Sequence, residues 1–120
     1  MLQKPRVQIG VVGPCASGKT TLIAGLKARG YNARHIAQEH SYVQSMWQRI
    51  TNPEILIFLE VSYAVSQQRR RMNWNEGEYE EQLRRLAHAR QHADLVIDTN
   101  KLNPEQVLAE VLLFMTSKPR

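Results

Sequence analysis

The chain is poor in the features that would tie it to an oxidising compartment, a membrane or a nucleic-acid surface. Its one cysteine, Cys15, excludes an intrachain disulfide and fits a reducing cytoplasm, where the protein is expected. No apolar run approaches the roughly 20 residues of a spanning helix. Positions 1–6 carry no apolar core behind their charges, so neither a membrane span nor a signal peptide is expected. Aromatic residues make up only 7%, which leaves little to stack on single-stranded bases. The net charge of +5 is compatible with nucleic acid or with polyphosphates. Its arginines concentrate at Arg69, Arg70, Arg71, Arg84 and Arg85 and form no long stripe, which disfavours nucleic acid as the principal ligand. There is no repeat, low-complexity tract or linker, so 1–120 reads as a single domain with one core.

What the chain does contain is Gly13-Pro14-Cys15-Ala16-Ser17-Gly18-Lys19-Thr20, a complete match to GxxxxGK[ST], the phosphate-binding P-loop. Val7 to Val12 upstream is a short β-branched run that reads as a buried strand. Downstream, Leu22, Ile23 and Leu26 share one helical face. Strand, glycine loop and helix is the order phosphate binding demands. The glycines let backbone N–H groups approach an anion, and the helix dipole points at it. Lys19 would reach the β- and γ-phosphates, and the Thr20 hydroxyl would hold Mg²⁺. Cys15 is either a small loop residue read through its backbone or a point where oxidation blocks the site.

Taken in order, the chain alternates strands and helices, which implies an α/β fold on a parallel sheet. Strands are expected at 6–12, 31–38, 55–61 and 94–98. The first helix ends at Arg29 and Gly30, a cation followed by a left-handed cap. Glu39 lies just past the second strand, at the ligand-binding rim of an open α/β sheet. There it could take a proton from a substrate hydroxyl or hold Mg²⁺ through water, or it is a surface charge. Positions 41–50 predict an amphipathic helix with Val43, Met46, Trp47 and Ile50 on one stripe. Trp47 suits core packing better than ring stacking.

Ile55 to Leu59 is a continuous apolar run ending in Glu60, a Walker-B-like pattern that makes Glu60 a second candidate metal ligand. Ser62 can cap a helix running to Arg69, Arg70 and Arg71. A polar connection over 72–77 then leads to a helix over 78–93, with Tyr79, Leu83, Leu86 and Ala93 as its apolar face. His88 and His92 stand at metal-binding spacing but lack a third ligand, so they read as solvated. Asn103 caps and Pro104 starts a last helix, with Val107, Leu108, Val111, Leu112 and Met115 toward the sheet.

The segments GPCASGKTTL, PEILIFLEVSYAVSQQRRR and ADLVIDTN followed by NPEQVLAEV resemble the P-loop kinase family that includes nucleoside, nucleotide and shikimate kinases. The resemblance implies a three-layer P-loop NTPase-like fold in shortened form, with about four strands. It implies ATP or another nucleoside triphosphate with Mg²⁺, and γ-phosphoryl transfer to a small acceptor. By position, Gly13, Pro14, Cys15, Ala16, Ser17, Gly18, Lys19, Thr20 and Thr21 would bind the nucleotide. Lys19, Glu39 as base, and Arg69 and Arg71 on a lid-like segment about 69–80 would carry catalysis. Otherwise the arginines are a solvated helix end.

Only about fourteen residues separate Glu39 from Pro53, where that family places an acceptor lobe and a further strand with an Asp-Arg pair; this chain has no such dipeptide. The acceptor site is then small, borrowed from a second copy in a homodimer, or absent. Three readings remain: a minimal metabolite kinase, a nucleotide-sensing module that transfers nothing, and a slow NTPase in which Glu39 or Glu60 positions water.

Overall fold

The computed structural model describes residues 7–69 and 75–117. Four strands form one all-parallel sheet: β1 (Gln8–Val12), β2 (Asn32–His35), β3 (Ile55–Glu60) and β4 (Leu95–Asp98), in the order β2-β1-β3-β4. Five α-helices flank it: α1 (Lys19–Ala28), α2 (Met46–Ile50), α3 (Tyr63–Arg69), α4 (Glu76–His92) and α5 (Pro104–Ser117). The expected strands are all present within a few residues of their expected ends. The part of the lid-like segment at 70–74, with Arg70 and Arg71, lies outside the described residues.

Alternation along the strands divides the interior in two. Ile9, Val11, Ile55, Ile57, Leu59 and Ile97 face α1 and α5, meeting Leu22, Leu26, Val107 and Val111. Val12, Leu56 and Phe58 face the other way, onto Trp47, Leu86 and Ala89 from α2 and α4. The continuous apolar run of β3 follows from this, since a central strand covered on both faces has no solvent side. Each such side chain contributes at most about 1.5–3 kcal/mol relative to exposure.

Helix ends follow local chemistry. The α1 terminus is a Schellman motif: Tyr31 N–H donates to the Leu26 carbonyl and Gly30 N–H to that of Lys27, with Gly30 at φ 86°. Asn103 and Gln106 exchange side chain to backbone bonds of 2.8 Å ahead of Pro104, and the Ser62 hydroxyl accepts from Val65 N–H at 3.2 Å. Helix α4 starts earlier than the spacing predicts. Asn75 caps it in a reciprocal box with Glu78, which makes part of the expected polar connection the first helical turn. Its buried residues are Gln82, Leu86 and Ala89, while Leu83 is exposed.

The helix expected over 41–50 is only the single turn of α2. A 3₁₀ turn, Gln38–His40, precedes it. Side chains here bond backbone that a longer helix would need. Gln38 Nε2 donates to the carbonyls of Val43 and Arg85, its Oε1 accepts from Trp47 N–H, and Ser41 Oγ accepts from Val43 N–H. Val43 and Ile50 are consequently exposed, and of the expected stripe Trp47 alone is buried.

Gln38 thereby pins the end of β2 to α2 and α4 while itself buried. Replacing it by alanine orphans the buried Trp47 N–H and removes the donors of two carbonyls. Gln38→Ala should cost about 2–3 kcal/mol in urea unfolding. An unchanged midpoint would show that the turn is held by other contacts.

Candidate functional site

The strand order places a switch point between β1 and β3, where consecutive connections leave the sheet in opposite directions. Ligands of open α/β sheets bind outside the carboxyl ends of strands at such a point. The 13–20 loop crosses this crevice. A Cβ on Gly13 would sit 2.4 Å from the Leu59 carbonyl oxygen, so the loop lies against the end of β3 at a distance no side chain allows. Gly18 has φ 100° and Ala16 φ 67°, so the loop turns through two left-handed residues before α1 begins.

The Lys19 side chain, rooted in the first turn of α1, folds back over this loop. Its ammonium donates to the carbonyls of Gly13 at 2.6 Å and Pro14 at 3.1 Å, and pairs with Glu39 Oε2 at 2.9 Å. Its three protons therefore have three acceptors. Lys19 is 7% exposed and Glu39 2%, so this ion pair is buried. The Nε2 atoms of His35 and His40 approach the same carboxylate oxygen at 3.7 and 3.9 Å. The other oxygen, Glu39 Oε1, is buried without a hydrogen-bond partner, as is Ser17 Oγ in the loop itself.

Two further side chains fix the loop. Gln82 on α4 accepts from Cys15 N–H at 3.0 Å and donates to Cys15 Sγ at 3.2 Å. Arg69, at the end of α3, donates to the Ala16 carbonyl at 3.1 Å and to both the hydroxyl and the carbonyl of Thr99. Thr99 in turn donates its hydroxyl proton to the Glu60 carbonyl at 2.7 Å. Arg69 thus ties the glycine loop to the turn after β4.

A cavity of about 520 Å³ is lined by 15–21 of the loop with His35, Glu39, His40 and Arg69. On the other side, a cavity of about 320 Å³ is lined by Ala16, Ser17, Gly18 and Thr21 together with Leu22, Leu102, Pro104 and Val107. Thr20 and Thr21 are exposed at the first of these. Of the two candidate acids, Glu39 is the one that meets the loop lysine. Glu60 is bound by Arg90, through Nε at 2.5 Å and also through NH2, and lines a separate cavity of about 500 Å³ with Pro14 and Tyr79. The Tyr79 phenol donates to the Val61 carbonyl there. Burial, and then the charge of Glu60, holds it above its usual range.

His88 is not simply solvated: its Nδ1 accepts from Trp47 Nε1 at 3.0 Å, and the His92 ring lies beside it, tilted by 44° with centroids 4.3 Å apart. Sequence reasoning overlooked Gln82, although it stands at i, i+4 and i+7 with Leu86 and Ala89. A polar residue on a buried helical stripe is the signal that marks it.

Burying one charge of an ion pair without the other is strongly destabilising. Lys19→Met should cost about 3–5 kcal/mol in urea unfolding, whereas adding Glu39→Gln should restore part of the loss. Strict additivity of the two substitutions would show that the charges do not depend on each other. No protein-family model and no curated protein matches this chain.

Proposed function

We propose that the domain binds a nucleoside triphosphate with Mg²⁺ on the 13–20 loop and transfers the γ-phosphoryl group to a small hydroxyl- or phosphate-bearing metabolite, in the manner of a shortened three-layer P-loop kinase. The observation that carries this reading is that two cavities of different chemistry meet at one loop. Ala16, Ser17, Gly18, Thr21 and Arg69 line both. One cavity adds apolar surface from Leu22, Leu102, Pro104 and Val107, which suits a base ring. The other adds Lys19, His35, Glu39 and His40, which suit phosphate and the polar groups of an acceptor.

The residues present fit these ligands. Ser17 Oγ is buried without a hydrogen-bond partner, which supports the reading that the loop offers it to a phosphate oxygen. The Thr20 hydroxyl and Glu39 Oε1 are hard oxygen donors of the kind Mg²⁺ takes. Thr20 would hold the ion, which when bound neutralises charge on the phosphates. Glu60, the other candidate metal ligand, is paired with Arg90 and lines the neighbouring cavity, so this reading gives the ion to Thr20.

Phosphoryl transfer depends mainly on positioning and on neutralising spread negative charge. Lys19 supplies the charge by turning from Glu39 to phosphate oxygens. Glu39, released from Lys19, accepts the proton of the acceptor hydroxyl. The hydroxyl oxygen bonds to the γ-phosphorus, the β–γ bridge breaks, and the nucleoside diphosphate keeps the bridging oxygen. Arg69 holds Ala16 and the base-side turn in register. Arg71 enters this scheme through the family resemblance alone.

One observation favours a different reading, a slow NTPase or a sensing module. Between β2 and β3 stand only the 3₁₀ turn and the single turn of α2, a small platform for an acceptor. Turnover of [γ-³²P]ATP with Mg²⁺, alone and with pooled small metabolites, separates these. A labelled product dependent on one pool is the expected result; phosphate release without an acceptor, or saturable binding without turnover, would overturn transfer. Lys19→Ala should weaken nucleotide binding at least about tenfold, or about 1.4 kcal/mol. Glu39→Gln should lower turnover by about 10²–10⁴ while affinity changes little.

A further inference from the structure

The polar cavity beside the glycine loop holds a second constellation, which shares Glu39 and His40 with the proposed phosphoryl transfer and adds the Cys15 sulfur. Cys15 Sγ, a carboxylate oxygen of Glu39 and a ring nitrogen of His40 lie within 4.8 Å of one another. We propose that Cys15, Glu39 and His40 form a binding site for a thiophilic divalent cation of the Zn²⁺ class, with His35 supplying a fourth ligand.

Four observations carry it. The donor set is one sulfur, one or two imidazole nitrogens and one carboxylate oxygen, the mixture that Zn²⁺ prefers and that Mg²⁺ does not. Glu39 Oε1 is buried without a hydrogen-bond partner while Lys19 occupies Oε2, so the carboxylate has an oxygen to give without surrendering its ion pair. The Nε2 atoms of His35 and His40 lie 3.7 and 3.9 Å from Oε2 of that carboxylate, the oxygen that Lys19 also holds. Finally, Cys15 Sγ receives an N–H from the buried Gln82 amide, the outer-shell contact that stabilises negative charge on a ligating sulfur.

The geometry needs only a small closure. In a tetrahedral site with Zn–S of about 2.3 Å and Zn–N of about 2.0 Å, neighbouring donors stand about 3.5 Å apart. The His40 side chain is 60% exposed, so its ring is free to swing the ångström or so required, and the 44% exposed His35 is free to turn toward the same carboxylate. The Lys19 ammonium beside Glu39 opposes a cation. Its bonds to the Gly13 and Pro14 carbonyls hold it to the loop, and two anionic ligands offset it. On binding, the Cys15 S–H bond breaks, a sulfur–metal bond forms and the proton passes to solvent; no electron is transferred.

The site shares Glu39 and its cavity with the proposed transfer, but none of its ligands is Lys19 or Thr20, so metal binding is tested apart from nucleotide binding. Isothermal titration of the full chain with Zn²⁺ alone should give one ion per chain. Co²⁺ substituted for it should show thiolate-to-metal charge transfer in the near ultraviolet and the intense visible bands of a four-coordinate ion. Cys15→Ser and His40→Ala should each weaken Zn²⁺ binding at least about tenfold, the low end of what loss of even an outer-shell partner costs. Joint substitution of His88 and His92 by alanine should leave it unchanged. Absence of Zn²⁺ binding, a Co²⁺ complex without a thiolate band, or binding lost only with His88 and His92 would each overturn the proposal. The Co²⁺ spectrum of the unaltered chain decides the matter even if a variant misfolds. Lys19-dependent nucleotide binding is measured separately, so either reading can fail without the other.

Discussion

The buried pair of Lys19 and Glu39 is the interaction on which the rest of this site depends. Two opposite charges removed from water need close geometry and further hydrogen bonds to offset their desolvation. Both conditions dictate structure elsewhere. The ammonium needs two carbonyl acceptors, so the loop must present Gly13 and Pro14 inward. The carboxylate needs to reach the loop from a neighbouring strand, so the chain after β2 must turn inward in place of running on along the sheet. The 3₁₀ turn at Gln38–His40 does this, and the buried Gln38 amide holds that turn against α2 and α4. A polar pair at the sheet's edge thus sets the conformation of two segments far apart in sequence.

The loop is fixed from three sides by chemically different contacts. β3 presses on it through the Leu59 carbonyl under Gly13. α4 holds Cys15 through both ends of the Gln82 amide, and α3 holds Ala16 through Arg69. Ala16 sits in a left-handed conformation that a residue with a Cβ adopts at some cost, and such strain persists where surrounding contacts over-determine the backbone. An anion meeting a loop already held in shape loses less in ordering it, and preorganisation of this kind raises affinity without adding contacts.

Much of this architecture was legible in the sequence, for identifiable reasons. The apolar run Ile55 to Leu59 announces a strand covered on both faces, and the caps at Gly30, Ser62 and Asn103 act through bonds within a few residues. The illegible parts are those where a side chain reaches across the chain. The spacing of Val43, Met46, Trp47 and Ile50 is helical, yet Gln38 and Ser41 claim the backbone a helix would use. Gln82 has helical periodicity with Leu86 and Ala89, but nothing local says that its amide meets Cys15. His88 and His92 show a ligand spacing whose meaning changes once Trp47 donates to one of them.

Glu39 and Glu60 show the same limit at the site itself. Each is an acid at or just past the carboxyl end of a parallel strand, and the pattern around them does not rank them. Their partners do. Arg90 on α4 pairs with Glu60, which lines a different cavity from the loop lysine. Among the described residues, Glu39 finds only Lys19 as a permanent cation, a residue whose other two protons already belong to the loop. An anion arriving at the loop competes for Lys19 and so loosens Glu39 in the same event. In the proposed reaction, the base is free when the phosphate is in place and is masked otherwise. A carboxylate with its own dedicated arginine has no such coupling, which is the physical reason the proposed reaction is built on Glu39.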